Sequence, residues 1–462
     1  MLDLFLLGCV LAFIGAGFRK PFIFVLAYTY IDIVSPQKVS WGILSHIPVS
    51  LIAFLCAFGA WFVADDKSGT RFSLRQLLLL LLLVYCGLTT QSADFPVEAG
   101  EKWAWVWKAL LFALFLPLTL RTRLRIEALT VIMVLSIGVI VIGGGIKTLT
   151  GGGGYGELRL LVNNNTGLYE SSIISAVAIA VIPLALWASR FGTIFPPEWR
   201  VTAFAWALCF ACALMPIGTG ARTGLVCVVV LAALILRTAK RRMLIVSLMA
   251  TGALLSIPLL PADFVARMST INNHQSDQSA STRVAVWRWT LEFVENRPFG
   301  GGFDAYRQNR IEYDTVEAKS AGENNTALEY KPVVDQARAY HSSYFEMLGE
   351  QGYPGLALWL ALHLLGVWQM EVLRRRYRKN TSEEFRWVSP LAEALQQAQI
   401  IYLVGSTFVG IAFQPFCYML VGLQCGLWSY IKRVTAAKPE PFRKASSPPM
   451  KVQSRGPVTA QR

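Results

Sequence analysis

Thirteen apolar runs divide the chain, near residues 1–18, 22–34, 47–64, 74–90, 103–120, 127–147, 168–189, 200–217, 222–237, 243–260, 343–370, 396–412 and 416–432. Most approach the roughly 17–25 residues that carry an α-helix across a bilayer. The second is short, and the first two read either as separate spans or as one tight hairpin. The pattern therefore predicts 12–13 transmembrane helices. One long polar stretch, about 261–341, interrupts the series. The expected fold class is an all-α polytopic membrane protein with one large external loop.

Composition strengthens this reading: 54% of residues are hydrophobic and 16% charged, against about 25% charged in soluble proteins. The apolar start has no basic stretch ahead of it and runs into Arg19-Lys20-Pro21, so no cleavable signal is expected. A net charge of +14 would suit a nucleic-acid partner if it were clustered. With Arg19 and Lys20 placed inside and the spans alternating, twenty Lys/Arg residues fall in inner loops and five in short outer ones. That bias sets the orientation and puts 261–341 outside. The basic face then meets membrane lipids, and no nucleic acid is expected as a partner.

The eight cysteines all lie in apolar runs. Cys209 and Cys212 form a CxxC with no second pair to complete a zinc site, so they read as small core residues. The loop 148–167, with Gly151 to Gly154 and Asn163-Asn164-Asn165, fits either close backbone approach to a ligand or a plain flexible turn. Residues 436–462 are Pro-rich and basic, which predicts a disordered cytoplasmic tail. No internal repeat is visible, which weighs against transporter folds built from duplicated halves. A transporter would also need buried charges along a path, and few are expected beyond Asp32 and Glu350.

Within the external segment, Ser281 or Thr282 is the expected N-cap of a helix whose apolar face carries Val284, Trp287, Leu291 and Val294. Pro298 and Gly300-Gly301-Gly302 end it. Trp287 and Trp289 suit a helix lying at the membrane surface. Arg283 would sit in the first turn, where free N–H groups and the dipole already favour a phosphate; by spacing alone a solvated arginine fits as well. Arg222 stands in a Gly/Thr-rich turn, Gly218 to Gly224, at an outer end. It reads either as an anion contact or as a side chain reaching lipid headgroups. Of the four histidines, His341 alone falls at the junction of loop and membrane; a structural and a catalytic role both remain open. No HExxH, Asp-x-Asp, catalytic triad or phosphate-cradling loop is present. Activated nucleotides are not normally supplied outside, so two arginines and a histidine at the lipid boundary suit a phosphate-bearing lipid as donor.

The junction from His341-Ser342-Ser343-Tyr344-Phe345-Glu346-Met347-Leu348-Gly349-Glu350-Gln351-Gly352 to Gly355-Leu356 resembles the signature of the O-antigen ligase and O-antigen polymerase superfamily. Arg283-x-x-x-Trp287, followed by Asn296-Arg297-Pro298-Phe299-Gly300-Gly301-Gly302-Phe303, does the same. The start, Arg19-Lys20-Pro21-Phe22 through Ser35-Pro36-Gln37-Lys38-Val39-Ser40-Trp41-Gly42, looks like the exosortase A-associated branch, the O-glycosylation ligases. The resemblance covers roughly 1–435 and implies a C-type membrane glycosyltransferase in the bacterial inner membrane, its active site facing the periplasm. The implied layout is an N-terminal transmembrane region 1–126, a core 127–435 containing the periplasmic loop 261–341, and the tail 436–462.

The resemblance implies transfer of a glycan from undecaprenyl pyrophosphate to a protein or lipid acceptor, with no metal and no cofactor. Arg222 and Arg283 match the pyrophosphate-binding arginines. His341 matches the essential histidine, as base or further phosphate contact, and Tyr340 and Trp287 are carried as substrate-binding neighbours. Relatives more often show an acidic residue before the asparagines at Asn163-Asn164-Asn165-Thr166. Ligase and polymerase readings use the same residues and differ only in the acceptor.

Overall fold

The computed structural model describes residues 2–40, 42–68, 70, 72–150, 167–256, 278–320 and 326–436. The Gly/Asn-rich stretch 151–166 and the tail 437–462 lie outside these. Apart from single turns, the helices are α1 (Leu2–Arg19), α2 (Phe22–Val34), α3 (Val49–Ala64), α4 (Leu74–Gln91), α5 (Pro96–Thr119), α6 (Arg123–Leu149), α7 (Ser171–Phe191), α8 (Trp199–Gly218), α9 (Arg222–Thr238), α10 (Arg242–Ser256), α11 (Gln278–Asn296), α12 (Ser343–Tyr377), α13 (Val388–Gly405) and α14 (Pro415–Ala436). Each of the apolar runs falls on one of them, and α11 belongs to the polar segment. Five, α4, α6, α7, α8 and α12, are long and apolar enough to cross a membrane by length and composition, and α3 is a shorter apolar helix. The protein is an all-α polytopic membrane protein.

Local chemistry sets several helix starts. Ser73 and Gln76 form a reciprocal capping box at α4, with Gln76 N donating to Ser73 Oγ at 3.3 Å and Ser73 N donating to Gln76 Oε1 at 3.0 Å. Thr122 caps α6 and the Glu170 carboxylate caps α7. The centre of the bundle is α7, buried at every position from Ile173 to Ala185. Its alanines let α8 and α13 approach closely, which is how helices associate where lipid offers no hydrophobic contrast. α1 and α2 form a hairpin, with Phe13 stacked on Tyr30 at 5.5 Å and Phe18 edge-on to Phe24 at 5.4 Å.

The bundle has two distinct ends. One carries basic side chains tied to neighbouring helices: Arg125 to Asp65 at 2.7 Å, Arg121 to Asp66 at 3.0 Å and Arg237 to Glu371 at 3.2 Å. The other carries α11 and an antiparallel hairpin, β1 (Arg310–Ser320) and β2 (Thr326–Gln336), paired from Arg310↔Gln336 to Ser320↔Thr326.

Several expectations change. α11 runs from Gln278, ahead of the expected cap, and Thr282 is buried within it. Arg283 therefore lies beyond the first turn, and a helix-terminus seat for an anion does not describe it. The buried face of α11 is Thr282, Val286, Thr290 and Val294, whereas Val284 and Leu291 are exposed. The helix is rotated because its contacts are with α12 and β1, where Trp287 is anchored. The run 396–412 folds as α13 ending at Gly405, and residues 406–414 form a turn that receives the start of α12. Charges buried in the bundle are more numerous than Asp32 and Glu350 alone: Arg75 and Glu127 are also fully buried.

Candidate active site

The site grows from a break in α12. Helical geometry fails at Gly352 (φ 64°, ψ −167°), so Ser343–Gln351 is a short piece set apart from the long membrane helix beyond Pro354. The strip after α11 fits into that break, backbone against backbone. Gly301 N donates to Gly349 O at 3.0 Å, Gly302 N to Glu350 O at 2.9 Å, and Tyr353 N to Pro298 O at 2.9 Å. The two sequence stretches that carried the resemblance are thus one contact surface. Gly300 and Gly302, both at φ +79°, supply the left-handed turns it needs.

At the break itself, the Tyr85 hydroxyl and Thr89 Oγ1 of α4 donate to Gln351 O at 3.0 Å and Gln351 Oε1 at 2.6 Å, and three further anchors hold the short piece. At its start, Ser343 N donates to Ser406 O at 2.8 Å and Ser343 Oγ to Val409 O at 3.0 Å, while Ile411 N donates to Ser343 Oγ at 2.9 Å. On one side, Trp287 of α11 stacks on Phe345 at 4.9 Å and 3° and donates its indole N–H to Tyr340 O at 2.9 Å. On the other, Lys102 of α5 reaches Glu346 Oε1 at 2.7 Å, Glu350 Oε1 at 2.8 Å and Asp304 at 3.9 Å.

His341 lies two residues before this piece, at φ +48°. A left-handed backbone at a non-glycine residue costs roughly 1–3 kcal/mol and persists only where its surroundings impose it. Here Tyr340 is 3% exposed, with its hydroxyl against Gly349, and Ser342 and Ser343 are buried on the other side. His341 itself is exposed. Enough protein still surrounds the ring that desolvation, followed by the guanidiniums of Arg283 and Arg338, holds it below the usual histidine value of 6.5. Tyr340 OH, Ser342 Oγ and Arg338 Nε are buried and have no hydrogen-bond partner among the described residues. Such groups ordinarily find one in a folded protein, so unsatisfied polar atoms flank His341 on both sides.

The structure therefore brings Arg283, Trp287, Tyr340 and His341 together. Arg222 is the first residue of α9, half-buried, behind a turn in which Gly220 takes φ +62°. Thr223 lies against Gly405, next to the Ser406 carbonyl that binds Ser343, so the starts of α9 and α12 meet at one turn. Arg338, Lys102, Asp304, Glu346 and Glu350 were not singled out as site residues from sequence. Arg338 had the best signal, standing three residues before His341. Burial first, then Glu346 and Glu98, pushes the Asp304 carboxyl upward against the pull of Lys102 and Arg307. Beside the acidic group, Trp103 stacks on Phe303 at 6.3 Å. On the α4 side of Trp103 is a cavity of about 560 Å³ between α4 and α5, lined by Leu83, Gly87, Leu88, Gln91, Trp103 and Trp107. Among the described residues, no group of three or more His, Cys, Asp or Glu side chains is arranged to hold a metal ion.

Residues 207–360 match a family model described as O-antigen ligase. Residues 1–193 match one described as a family of unknown function, DUF5935. No curated protein matches the chain. The first match takes in Arg222, Arg283, Trp287, Tyr340, His341 and, in α12, Glu346 and Glu350. It supports the O-antigen ligase superfamily and, with it, a ligase-type membrane glycosyltransferase.

Proposed function

We propose that this protein transfers an oligosaccharide or polysaccharide from undecaprenyl pyrophosphate to a hydroxyl of a protein or lipid acceptor. In this reading it works at the periplasmic face of the bacterial inner membrane, as a member of the exosortase A-associated O-glycosylation ligases. The observation that carries the proposal is one exposed histidine at the junction of loop and bundle, beside Arg283 and Arg338 and within the residues that match the O-antigen ligase model. Region 1–126 serves as the family's N-terminal membrane part and 127–435 as the catalytic core.

Chemically, the bond between the anomeric carbon and the pyrophosphate oxygen breaks, and the acceptor oxygen forms the new glycosidic bond. Negative charge grows on the departing pyrophosphate, and Arg222 and Arg283 stabilise it more than the ground state. His341 takes the acceptor's proton. Bound pyrophosphate offsets the guanidinium charges that depress the imidazole, so donor binding raises its basicity when the proton must move. Trp287 and Tyr340 form the wall that fixes His341 and meets the substrate. The open recess between α4 and α5, lined by both apolar and polar groups, gives the lipid chain a lateral approach.

The test uses purified protein in liposomes with an undecaprenyl-pyrophosphate-linked oligosaccharide and a hydroxyl acceptor. Transfer with release of undecaprenyl pyrophosphate is expected. Loss of either arginine to alanine removes about 3 kcal/mol of transition-state stabilisation, roughly a hundredfold in rate. His341→Ala loses roughly 100- to 10,000-fold. Movement of the lipid-linked glycan across the bilayer with no sugar transferred would replace this reading with a transporter.

A further inference from the structure

The region that matches a family of unknown function contains Lys102, and Lys102 reaches across the molecule into the other matched region. Its ammonium lies 2.7 Å from Glu346 Oε1 and 2.8 and 2.9 Å from the two Glu350 oxygens. The Lys102 side chain is 13% exposed, that of Glu346 9% and that of Glu350 0%. The carboxylates also bind backbone: Asp304 N donates to Glu350 Oε1 at 3.0 Å and Ala412 N to Glu346 Oε2 at 3.1 Å. One ammonium thus joins α5, the strip after α11, the first piece of α12 and the turn before α14.

Glu346 and Glu350 are four residues apart, one helical turn, and so present both carboxylates to the same point. They belong to the piece that the break at Gly352 separates from the rest of α12. Regular helix does not continue from that piece into the long segment, so its orientation depends on its bonds to the strip and to α4 together with the three anchors. Two of these, Trp287 and the turn at Ser406, come from the same half of the chain as His341. Lys102 comes from the N-terminal half, as do Tyr85 and Thr89 at Gln351, and of these three it alone carries a charge. Without it, two carboxylates would face each other in a buried place, and like charges there repel strongly.

We infer that Lys102 is a positioning residue for the transfer reaction: by bridging Glu346 and Glu350 and screening their repulsion it helps fix the short helix that sets His341 against Arg283. The N-terminal region thereby completes the active site of the C-terminal one. This inference rests on the glycosyl-transfer reading above. A displacement of about 1 Å at a reacting group can cost on the order of a hundredfold in rate. The lipid pyrophosphate is held by Arg222 and Arg283, which Lys102 does not touch in any described contact, so donor affinity is independent of it.

The experiment compares wild type, Lys102→Met, Lys102→Arg and Glu350→Gln, purified in detergent, with the undecaprenyl-pyrophosphate-linked donor. Lys102→Met is expected to lower kcat on the order of a hundredfold, with donor KM within about twofold and elution as a single folded species. Lys102→Arg, which keeps the charge, should recover most of the rate. Glu350→Gln keeps the side chain's shape, and should also lower kcat while leaving donor KM unchanged, so the claim stays testable if Lys102→Met does not fold. Wild-type kcat in a folded Lys102→Met or Glu350→Gln would overturn the inference, as would a loss expressed wholly in donor KM. Wild-type transfer by His341→Ala, by contrast, would overturn the glycosyl-transfer reading itself.

Discussion

Replacing Gly352 with alanine should unfasten the site without touching any charged group. The residue has φ 64° and ψ −167°, a region open essentially to glycine alone, where another residue costs roughly 1–3 kcal/mol. Space is equally restrictive. An added Cβ would stand 2.2 Å from Pro298 O, 2.4 Å from Phe299 C and 2.6 Å from Gly300 N. All three are backbone atoms, so no side chain can rotate away. The strip must move, and with it go the bonds from Gly301 N, Gly302 N and Tyr353 N, each worth about 1 kcal/mol net. Strain and lost hydrogen bonds together come to roughly 4–6 kcal/mol. At no more than roughly 2 °C per kcal/mol for a chain of this size, the melting temperature falls by up to about 8–12 °C. Tryptophan fluorescence of the purified protein on heating measures it. Gly59→Ala is the control, since nothing lies within 4 Å of its added Cβ and alanine is the better helix former by roughly 0.5–1 kcal/mol. A Gly352→Ala melting within about a degree of wild type would refute the reasoning.

Two further outcomes follow from the geometry. His341 is depressed below 6.5 by burial and then by Arg283 and Arg338; the acid limb of kcat/KM should therefore lie below pH 6.5, and Arg283→Ala should move it upward, measurable in a pH series of initial rates. The same shift makes the unfolded chain bind more protons between the two values, so this group's contribution to stability is complete above pH 6.5 and declines as pH falls toward the folded value. At the opposite end of the bundle, the buried Glu127 carboxylate accepts from Thr193 N, Thr193 Oγ1 at 2.7 Å and Ile194 N at 2.6 Å. Glu127→Ala should cost roughly 1–2 kcal/mol, the lower part of the range for orphaned donors because Thr193 is exposed and water replaces part of the loss. Thermal melting of the purified variant checks it.

Hydropathy periodicity made the helices legible because each span buries or exposes an apolar surface over a length that the bilayer fixes. Boundaries were less readable: α13 ends at Gly405 because the turn after it serves Ser343, a tertiary contact with no local signature. The rotation of α11 failed for a similar reason. Apolar spacing put Val284 and Leu291 inward, whereas the anchoring of Trp287 on Phe345 and Tyr340 turns Thr290 inward instead. The hairpin β1–β2 carried no turn dipeptide strong enough to announce it. At the site, His341 and the arginines stood out through type and placement, and the Gly300-Gly301-Gly302 strip through its composition. Lys102 did not, because in sequence it was one more cation in a short outer loop. Its partners lie 244 and 248 residues away, and only the folded chain brings them together.

The most direct test of the central claim is a gel of surface glycan and undecaprenyl-linked glycan from wild-type, deletion and His341→Ala cells. A ligase that depends on His341 predicts long glycan accumulating on the lipid carrier, and an unmodified acceptor, in both mutant strains. Normal surface glycan in His341→Ala cells would contradict the account.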